Sequence, residues 1–598
     1  MDQLNLAVRF ADTVARHGRL TATRIDSPNG WVTRTYAELG ADVRRLAARL
    51  TSWGVQPGDR VLLFALNRPE WSLIDFACLT VRAVSVPIYT SSTPDQVQFM
   101  AADAGVILAF CEGQREVDIV TALPDVPALT RIIAIDPVTS DDPRVTQLSD
   151  ALAAGAPMAP VDERLAQASG DDLASIIYTS GTTGVPKGVM LTNRGFVSQI
   201  DVLADYFDVT TDDHSLCFLP LSHAFERAWT FFVLTKGCMN TYWPDAKTVA
   251  AGMVRAQTTM MTSVPRLFEK VFTTVHQRVA DSPPKKKVLE WALRVGARNQ
   301  HAYRKGGAPS AYWRAQLALA DKLVLHSVRD AMGGPKKVMA CGGAPLRKEI
   351  EEFFSACGML LEQGYGMTEA SPLISFNAPE GFKFGTAGRV LPGGEIKIAD
   401  EGEICYRGPN VMVGYWNNPE ATAATIREGW LHTGDVGYVD TDGYVVITDR
   451  IKDLIVTSNG KNIAPAPIEG MILADPLFEQ AVVLGDNRPF VTLLVSPSLP
   501  NLESLGRQLS LTWDNREDLF KNPAILAEIT RRVQTMTAKL PHHEQIKDLR
   551  VMIEEFTQEN GLLTPTLKVK RREVEKRFAQ VIDDMYAKLA EVRKGGSE

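Results

Sequence analysis

The sequence lacks a hydrophobic run long enough to cross a bilayer. Its most apolar long stretch, Trp71 to Tyr89, is interrupted by Asp75 and Arg82, whereas a membrane-spanning helix needs about 20 apolar residues. The amino terminus also lacks the basic patch and apolar core of a secretory signal. We therefore expect a cytoplasmic protein, with any membrane contact at the periphery.

Cysteine is scarce, and positive charge is not in excess. The seven cysteines are scattered over 598 residues with no CxxC pair and no histidine at zinc-ligand spacing, so we expect reduced core residues and no structural zinc. The formal net charge of -7 gives no reason to expect nucleic-acid binding. The composition, 45% apolar and 23% charged, is that of an ordinary globular protein with room for several structural units.

Helical and strand patterns alternate in the first part of the chain. Apolar residues recur at helical spacing from Leu39 to Leu50, and the apolar run Val61 to Leu66 follows a Gly/Pro turn. This alternation predicts an α/β fold with a mostly parallel sheet covered by helices. The Ala/Pro/Asp-rich segment 139–172 is predicted to be an irregular connection.

One loop combines the groups that bind phosphates. The apolar run Leu173 to Tyr178 predicts a buried strand, and it leads into Thr179-Ser180-Gly181-Thr182-Thr183-Gly184-Val185-Pro186-Lys187-Gly188. The glycines allow close approach of a ligand, the hydroxyls and amides donate hydrogen bonds, and Lys187 adds positive charge. A Walker A loop is disfavoured, because Pro186 replaces its second glycine and Gly188 its Mg²⁺-binding Ser or Thr. The loop predicts a polyphosphate site, with a surface turn that binds nothing as the alternative.

Other segments carry groups suited to ligands. The run Val338 to Cys341 ends in Gly342-Gly343-Ala344-Pro345-Leu346, where a planar ring can lie against the backbone or where a tight turn enters a helix. The string Gln363-Gly364-Tyr365-Gly366-Met367-Thr368-Glu369 begins like a dinucleotide motif, but Glu369 replaces its last glycine, which disfavours NAD. His223, a lone histidine among apolar residues, is either a packed structural histidine or a catalytic one. Asp435 lies in a glycine-flanked turn at Gly429 to Asp435.

These motifs, in this order, resemble those of the adenylate-forming enzymes, which include acyl-CoA synthetases, firefly luciferase and adenylation domains of nonribosomal peptide synthetases. The resemblance covers nearly the whole chain. The string Val264-Pro265-Arg266-Leu267-Phe268-Glu269-Lys270 is similar to an element of the long-chain fatty acyl branch. The resemblance implies a long-chain fatty acid–CoA ligase that uses ATP, Mg²⁺ and coenzyme A and releases AMP and pyrophosphate.

The resemblance also assigns roles to individual residues. It places nucleotide binding on Thr179, Ser180, Gly181, Thr182, Thr183, Gly184, Lys187, Gly343, Ala344, Gly364, Tyr365, Gly366 and Thr368. Within this set Tyr365 would stack on adenine and Thr368 would contact the α-phosphate, while Asp435 and Arg450 would bind the ribose. Glu369 would hold Mg²⁺, and the acyl-binding residues would be His223, Gly342 and Gly343.

In this family the second step of the reaction, in which coenzyme A takes over the acyl group, depends on a mobile lid domain. The resemblance implies a large domain, 1–451, with mostly parallel sheets and a β-barrel-like part, and a small α+β lid domain, 452–598, with its hinge at Lys452. Lys568 would be the catalytic lysine, with Lys570 as the alternative because Leu567 replaces the usual preceding glycine. Gly460 and its loop would face the site in the second step.

Two other functions fit the same motifs. A fatty acyl-AMP ligase would pass the acyl group to a carrier protein, and a non-catalytic nucleotide- and lipid-binding protein can be built on the same fold.

Residues 266–337 contain fifteen basic and five acidic residues, a net charge of +10 in a chain of -7. With interleaved aromatic residues, this segment is a candidate for contact with an anionic membrane, or else a solvated helical face.

The rotating lid predicts opposite defects for two variants. Lys568→Ala is expected to block acyl-adenylate formation yet still convert supplied acyl-AMP to acyl-CoA. Gly460→Leu is expected to form the adenylate normally and stall at the thioester, because a bulky side chain would obstruct CoA. The two half-reactions are measured separately by AMP and acyl-CoA release, and loss of the same half-reaction in both variants would contradict a two-position lid.

Overall fold

The computed structural model describes residues 1–180, 185–280, 282–304, 306–459, 461–557, 560–563 and 569–595. The chain divides into two compact units. The larger contains residues 1–397, 405–433 and 439–446, and the smaller contains 398–404, 434–438 and 447–598.

A nine-stranded sheet and an eight-stranded sheet form the framework of the larger unit. The nine-stranded sheet has the order β16-β15-β14-β13-β12-β10-β11-β1-β2, with strands β1 (Thr21–Ser27), β2 (Gly30–Thr35), β10 (His214–Cys217), β11 (Met239–Tyr242), β12 (Met260–Ser263), β13 (Val338–Cys341), β14 (Glu362–Gly366), β15 (Leu373–Phe376) and β16 (Arg389–Val390). Its central pairs are parallel, and antiparallel pairs lie at its two edges.

The eight-stranded sheet has the order β19-β9-β8-β4-β3-β5-β6-β7. Its strands are β3 (Arg60–Phe64), β4 (Val84–Ile88), β5 (Leu108–Cys111), β6 (Arg131–Ala134), β7 (Val145–Gln147), β8 (Leu173–Ser180), β9 (Pro186–Thr192) and β19 (Gly414–Tyr415). The strands from β7 to β8 pair in parallel, and β9 and β19 continue the sheet in antiparallel pairs. The predicted α/β class with mostly parallel sheets is confirmed.

Helices alternate with these strands along the chain, with bounds α1 (Leu6–His17), α2 (Tyr36–Ser52), α3 (Pro69–Thr80), α4 (Pro94–Ala104), α5 (Gln114–Thr121), α6 (Leu148–Ala153), α7 (Ala159–Ala166), α8 (Asn193–Tyr206), α9 (Ala224–Thr235), α10 (Val249–Ala256), α11 (Pro265–Ala280), α12 (Pro283–Arg304), α13 (Ala311–Ala320), α14 (His326–Ala331), α15 (Lys348–Ala356) and α16 (Pro419–Thr425). The prediction for 139–172 was wrong, because β7, α6 and α7 lie there. All seven cysteines are buried and unbridged.

The strands between Glu395 and Arg450 contribute residues to both units. They are β17 (Glu395–Ile398), β18 (Glu403–Arg407), β20 (Ile426–Arg427), β21 (Trp430–Val439) and β22 (Val445–Arg450). The smaller unit continues with β23 (Ile455–Val456), β24 (Asn462–Ile463), β25 (Phe478–Leu484), β26 (Thr492–Pro497) and β27 (Leu549–Val551), and with α17 (Pro465–Ile472), α18 (Leu499–Gln508), α19 (Arg516–Lys521), α20 (Pro523–Thr537), α21 (Arg571–Arg577) and α22 (Ala579–Gly595). Its mixed content confirms a small α+β unit.

A buried ion pair lies inside the larger unit. The side chains of Asp75 on α3 and Arg227 on α9 are 2% and 1% exposed, and Arg227 Nε donates to Asp75 Oδ2 at 2.8 Å. Arg227 also donates to Ser175 Oγ on β8 at 2.6 Å and to Ser85 Oγ on β4. Asp75, which interrupts an apolar stretch in the sequence, is therefore neutralised within the core, as a buried charge must be.

Breaking this pair is expected to destabilise the larger unit. Arg227→Met leaves Asp75 buried without its cation, so the free energy of unfolding should fall by about 3–5 kcal/mol. The double variant Asp75→Leu/Arg227→Met should lose less, because no uncompensated charge remains. The control is Arg44→Met, whose ion pair with Asp162 is exposed and should contribute about 1 kcal/mol or less. Urea denaturation measures all three; a double variant as unstable as Arg227→Met would refute this account.

Candidate active site

The predicted phosphate loop connects two strands of one hairpin. Strands β8 and β9 are antiparallel, with Thr179 opposite Lys187 and Ser180 opposite Pro186. Gly181, Thr182, Thr183 and Gly184 lie outside the described residues. Gly188 must be small, because a Cβ there would lie 2.8 Å from Ile176 Cγ2. The arrangement differs from a P-loop, in which a helix follows the loop.

Lys187 and Glu369 both lie beside the side chain of Tyr415, the lysine over its ring and the glutamate at its hydroxyl. Across β9 and β19, Tyr415 pairs with Val189, and Lys187 is its diagonal neighbour on the same face of the sheet. Lys187 Nζ lies 5.0 Å from the centre of the Tyr415 ring, and the Tyr415 hydroxyl donates to Glu369 Oε1 at 2.8 Å. Burial, followed by the Glu369 charge, raises the pKa of Tyr415 above its usual range, so the phenol stays protonated as a donor.

The segment from Gln363 to Glu369 is held by close backbone contacts. Tyr365 lies on β14 and is mostly buried, as are Thr368 and Glu369 in a short 3-10 turn at Thr368–Ala370. A Cβ at Gly366 would lie 1.8 Å from the carbonyl oxygen of Pro372, and one at Gly364 would lie 2.9 Å from Leu373 Cδ1. Packing against backbone therefore requires glycine at position 366, whereas the neighbour of Gly364 is the end of a leucine side chain, which can move.

The glycine pair after β13 lies beside this segment. Gly343 has φ +86°, a left-handed conformation that favours glycine. A Cβ at Gly342 would lie 3.3 Å from both the carbonyl oxygen of Gly364 and the Phe225 ring. The structure thus places Gly342 next to Gly364, while Gly343 and Ala344 are exposed.

His223 caps the helix that carries Phe225. Its Nδ1 accepts a hydrogen bond from the Phe225 amide at 3.2 Å at the start of α9, so the proton of a neutral imidazole lies on Nε2. Since Phe225 approaches Gly342, the first turn of α9 lies beside the glycine loop. The cap is a structural role that is compatible with the predicted acyl-pocket role.

Asp435 and Arg450 are brought together in the smaller unit, although Asp435 lies on β21 and not in the predicted turn. Arg450 Nε donates to Asp435 Oδ1 at 2.9 Å, and the Asp435 side chain is 5% exposed whereas that of Arg450 is 55% exposed. Lys452 follows in an exposed turn after β22. Gly460 and Lys568 lie outside the described residues, and Lys570 precedes α21 as its N-cap.

Sequence reasoning missed Tyr415 and three buried carboxyl groups. Burial raises the pKa of Glu226 and of Glu362 to about 8 and that of Glu351 to about 7. Glu226 accepts from Thr262 Oγ1 at 3.0 Å, and Glu362 accepts from the Met339 amide at 2.9 Å. The signal for Glu351 was its place among the apolar residues of an amphipathic helix, where a carboxylate needs a partner.

Comparison with known proteins agrees with this architecture. Residues 10–416 match the AMP-binding enzyme family, and residues 452–590 match the AMP-binding enzyme C-terminal domain. The chain therefore belongs to the AMP-binding enzyme family. Among the described residues, no helix is both long and apolar enough to span a membrane.

Relatives and solved structures extend over nearly the full chain. The long-chain-fatty-acid–CoA ligase FadD15 of Mycobacterium bovis is 37% identical, over 93% of each chain. The peroxisomal long chain acyl-CoA synthetase 6 of Arabidopsis thaliana is 31% identical, over 95% of this chain and 84% of the relative. The A-PCP didomain of carboxylic acid reductase from Segniliparus rugosus, in complex with AMP, has a similar fold, with a TM-score of 0.77 at 21% identity over 100% of this chain and 84% of that one.

Proposed function

We propose that the protein joins a long-chain fatty acid to coenzyme A in two steps that consume ATP. The main support is that relatives over 30% identical along more than nine-tenths of the chain are named long-chain acyl-CoA ligases or synthetases. In the first step the carboxylate oxygen attacks the α-phosphate of ATP and pyrophosphate leaves, which gives an acyl-adenylate. In the second step the CoA thiol attacks the acyl carbon and AMP leaves.

The side chains around Glu369 fit a magnesium ion. Mg²⁺ prefers oxygen ligands, and Glu369 offers a buried carboxylate with the Thr368 hydroxyl next to it in sequence. Bound there, Mg²⁺ would neutralise charge that develops on the phosphates. Tyr415 orients the Glu369 carboxylate through its hydrogen bond, and Lys187, above the same ring, supplies a second positive charge towards the leaving pyrophosphate.

The remaining predicted residues take part in binding and positioning. Tyr365 stacks on adenine against the glycine loop, and His223 with Gly342 shapes the acyl pocket. Asp435 and Arg450 bind the ribose hydroxyls. Lys568 stabilises the attacked phosphate, and the lid turns about Lys452 so that the Gly460 loop replaces it. No residue serves as a covalent nucleophile, because CoA brings its own thiol.

AMP release from ATP tests the function directly. With a panel of carboxylic acids from short to very long chain, we expect AMP release that depends on a long-chain acid, with acyl-CoA as the product when CoA is present. Glu369→Gln should lower the rate about 10²-fold or more, because one electrostatic stabiliser is lost. The exposed Glu420 supplies the matched control, since Glu420→Gln should keep the wild-type rate.

Each contrary outcome has a distinct meaning. AMP or acyl-adenylate without any CoA thioester would indicate a fatty acyl-AMP ligase. ATP binding without turnover of any acid would indicate a non-catalytic binding protein. Wild-type turnover in Glu369→Gln at saturating ATP and Mg²⁺ would remove Glu369 from the site.

We also propose that residues 266–337 contact an anionic membrane, from which a poorly soluble substrate can be collected. Lys285, Lys286 and Lys287 are exposed near the start of α12. Tyr312, Leu319 and Leu323 are 64%, 48% and 58% exposed, so apolar groups accompany the positive charges. Two of the interleaved aromatic residues, Trp291 and Trp313, are instead partly buried against the helical core.

Reversing these charges is expected to weaken membrane binding. Each basic residue near an anionic surface contributes about 1 kcal/mol, so Lys285→Glu/Lys286→Glu/Lys287→Glu should sediment less with phosphatidylserine-containing liposomes, most clearly at low salt, while activity on detergent-solubilised fatty acid is retained. The control variant Arg16→Glu/Arg19→Glu/Arg45→Glu changes the net charge equally at exposed positions elsewhere. Equal liposome binding by wild type and the lysine variant would leave this segment a solvated face.

A further inference from the structure

Glu351 is a fully buried carboxyl group that holds together segments of the candidate nucleotide site. It lies on α15 and is 0% exposed. Its Oε1 accepts a hydrogen bond from Gln363 Nε2 at 2.7 Å, and its Oε2 accepts one from the Gly385 amide at 2.6 Å. In turn, Gln363 Oε1 accepts a hydrogen bond from the Leu346 amide at 3.3 Å. The same carboxylate is thus connected to the loop that ends at Leu346, to β14 and to the turn at Gly385.

The direction of these hydrogen bonds is fixed by the carboxylate. Burial raises the pKa of Glu351 to about 7, so above that pH it is ionised and only accepts, whereas an amide donates at its nitrogen and accepts at its oxygen. Glu351 therefore requires the nitrogen of Gln363 to face it, which turns the Gln363 oxygen towards the Leu346 amide. A neutral amide at position 351 would place its nitrogen against either the Gly385 amide or Gln363 Nε2, so a donor would face a donor.

We propose that Glu351 is a positioning residue for the nucleotide. Through Gln363 it fixes the loop Gly342–Leu346 and the start of the Gln363–Glu369 segment, between which adenine is expected to bind. This inference rests on the proposed function, because that function assigns adenine to Gly343, Ala344 and Tyr365. Glu351 itself touches no reacting atom; it acts through the amide that it orients.

The test exchanges donor and acceptor. Glu351→Gln changes one atom and should raise the KM for ATP in acyl-adenylate formation about 10-fold, since a buried donor loses its partner, with a smaller change in kcat at saturating ATP. The double variant Glu351→Gln/Gln363→Glu restores every pairing. The amide introduced at position 351 can accept from the Gly385 amide and donate to the carboxylate introduced at position 363, which accepts from the Leu346 amide. We expect the KM of the double variant to return to within about threefold of wild type.

The control is Glu352→Gln, the adjacent exposed glutamate paired with Lys348 at 3.6 Å, which should leave the KM for ATP unchanged. An unchanged KM in Glu351→Gln would overturn the proposal. So would an impaired Glu351→Gln that the double variant does not rescue, because the proposal requires the direction of these hydrogen bonds to set the KM for ATP. If Glu351→Gln does not fold, the double variant still decides: wild-type KM supports the proposal, and a raised KM contradicts it.

Failure of the proposed function would be recognised separately. It would appear as wild-type protein that releases no AMP with any fatty acid. In that case the rise in Tm that ATP causes is compared between wild type, Glu351→Gln and the double variant. A shift that falls in the single variant and returns in the double variant would still support Glu351 as the residue that positions the nucleotide loop.

Discussion

The charges of Asp75 and Arg227 lie where water does not reach, and four elements of the larger unit meet at them. The two side chains join α3 to α9, and the Arg227 guanidinium reaches hydroxyl groups on β4 and β8. Strand β8 leads into the phosphate loop, and α9 begins after its cap, His223. Because breaking a buried ion pair leaves an uncompensated charge, this pair fixes the β8–β9 hairpin relative to α9, the helix that is proposed to border the acyl pocket.

The candidate site is assembled from short segments that are held by single polar side chains. Tyr415 joins β19 to the turn at Glu369, a separation of 46 residues in sequence. Glu351 joins α15 to Gln363 and to Gly385, separations of 12 and 34 residues. Each of these bonds is buried or partly buried, where an unpaired donor or acceptor is costly. The geometry of the site therefore depends on a few pairings more than on any one continuous element.

Much of the larger unit could be predicted because its strands are apolar runs that end in turn residues. The runs at Val61, Leu173 and Val338 all lie in strands, and the motifs after the last two belong to the candidate site. Segment 139–172 was mispredicted because its strand has three residues and its helices six and eight, which is too short for a periodic pattern.

The residues that sequence reasoning missed were missed for physical reasons. Tyr415 lies in a two-residue strand, and its role arises only from cross-strand pairing with β9. Glu351 follows Ile350 and precedes Phe353 and Phe354, all buried. The helical pattern therefore shows only that Glu351 is on the side of α15 that faces the core. The partners of such a group come from other parts of the chain, and no local pattern contains them.

The position of Lys187 on a strand with neighbours on both sides limits how this protein can change. Strand β9 is paired on both sides, with β8 and with β19, and successive side chains of a strand point to opposite faces. A single-residue insertion within β9 would therefore turn the lysine to the far side of the sheet and away from Tyr415. An odd-numbered insertion or deletion between Lys187 and Val189 would separate Lys187 from Tyr415 in one step, whereas a substitution leaves the alternation of the strand unchanged.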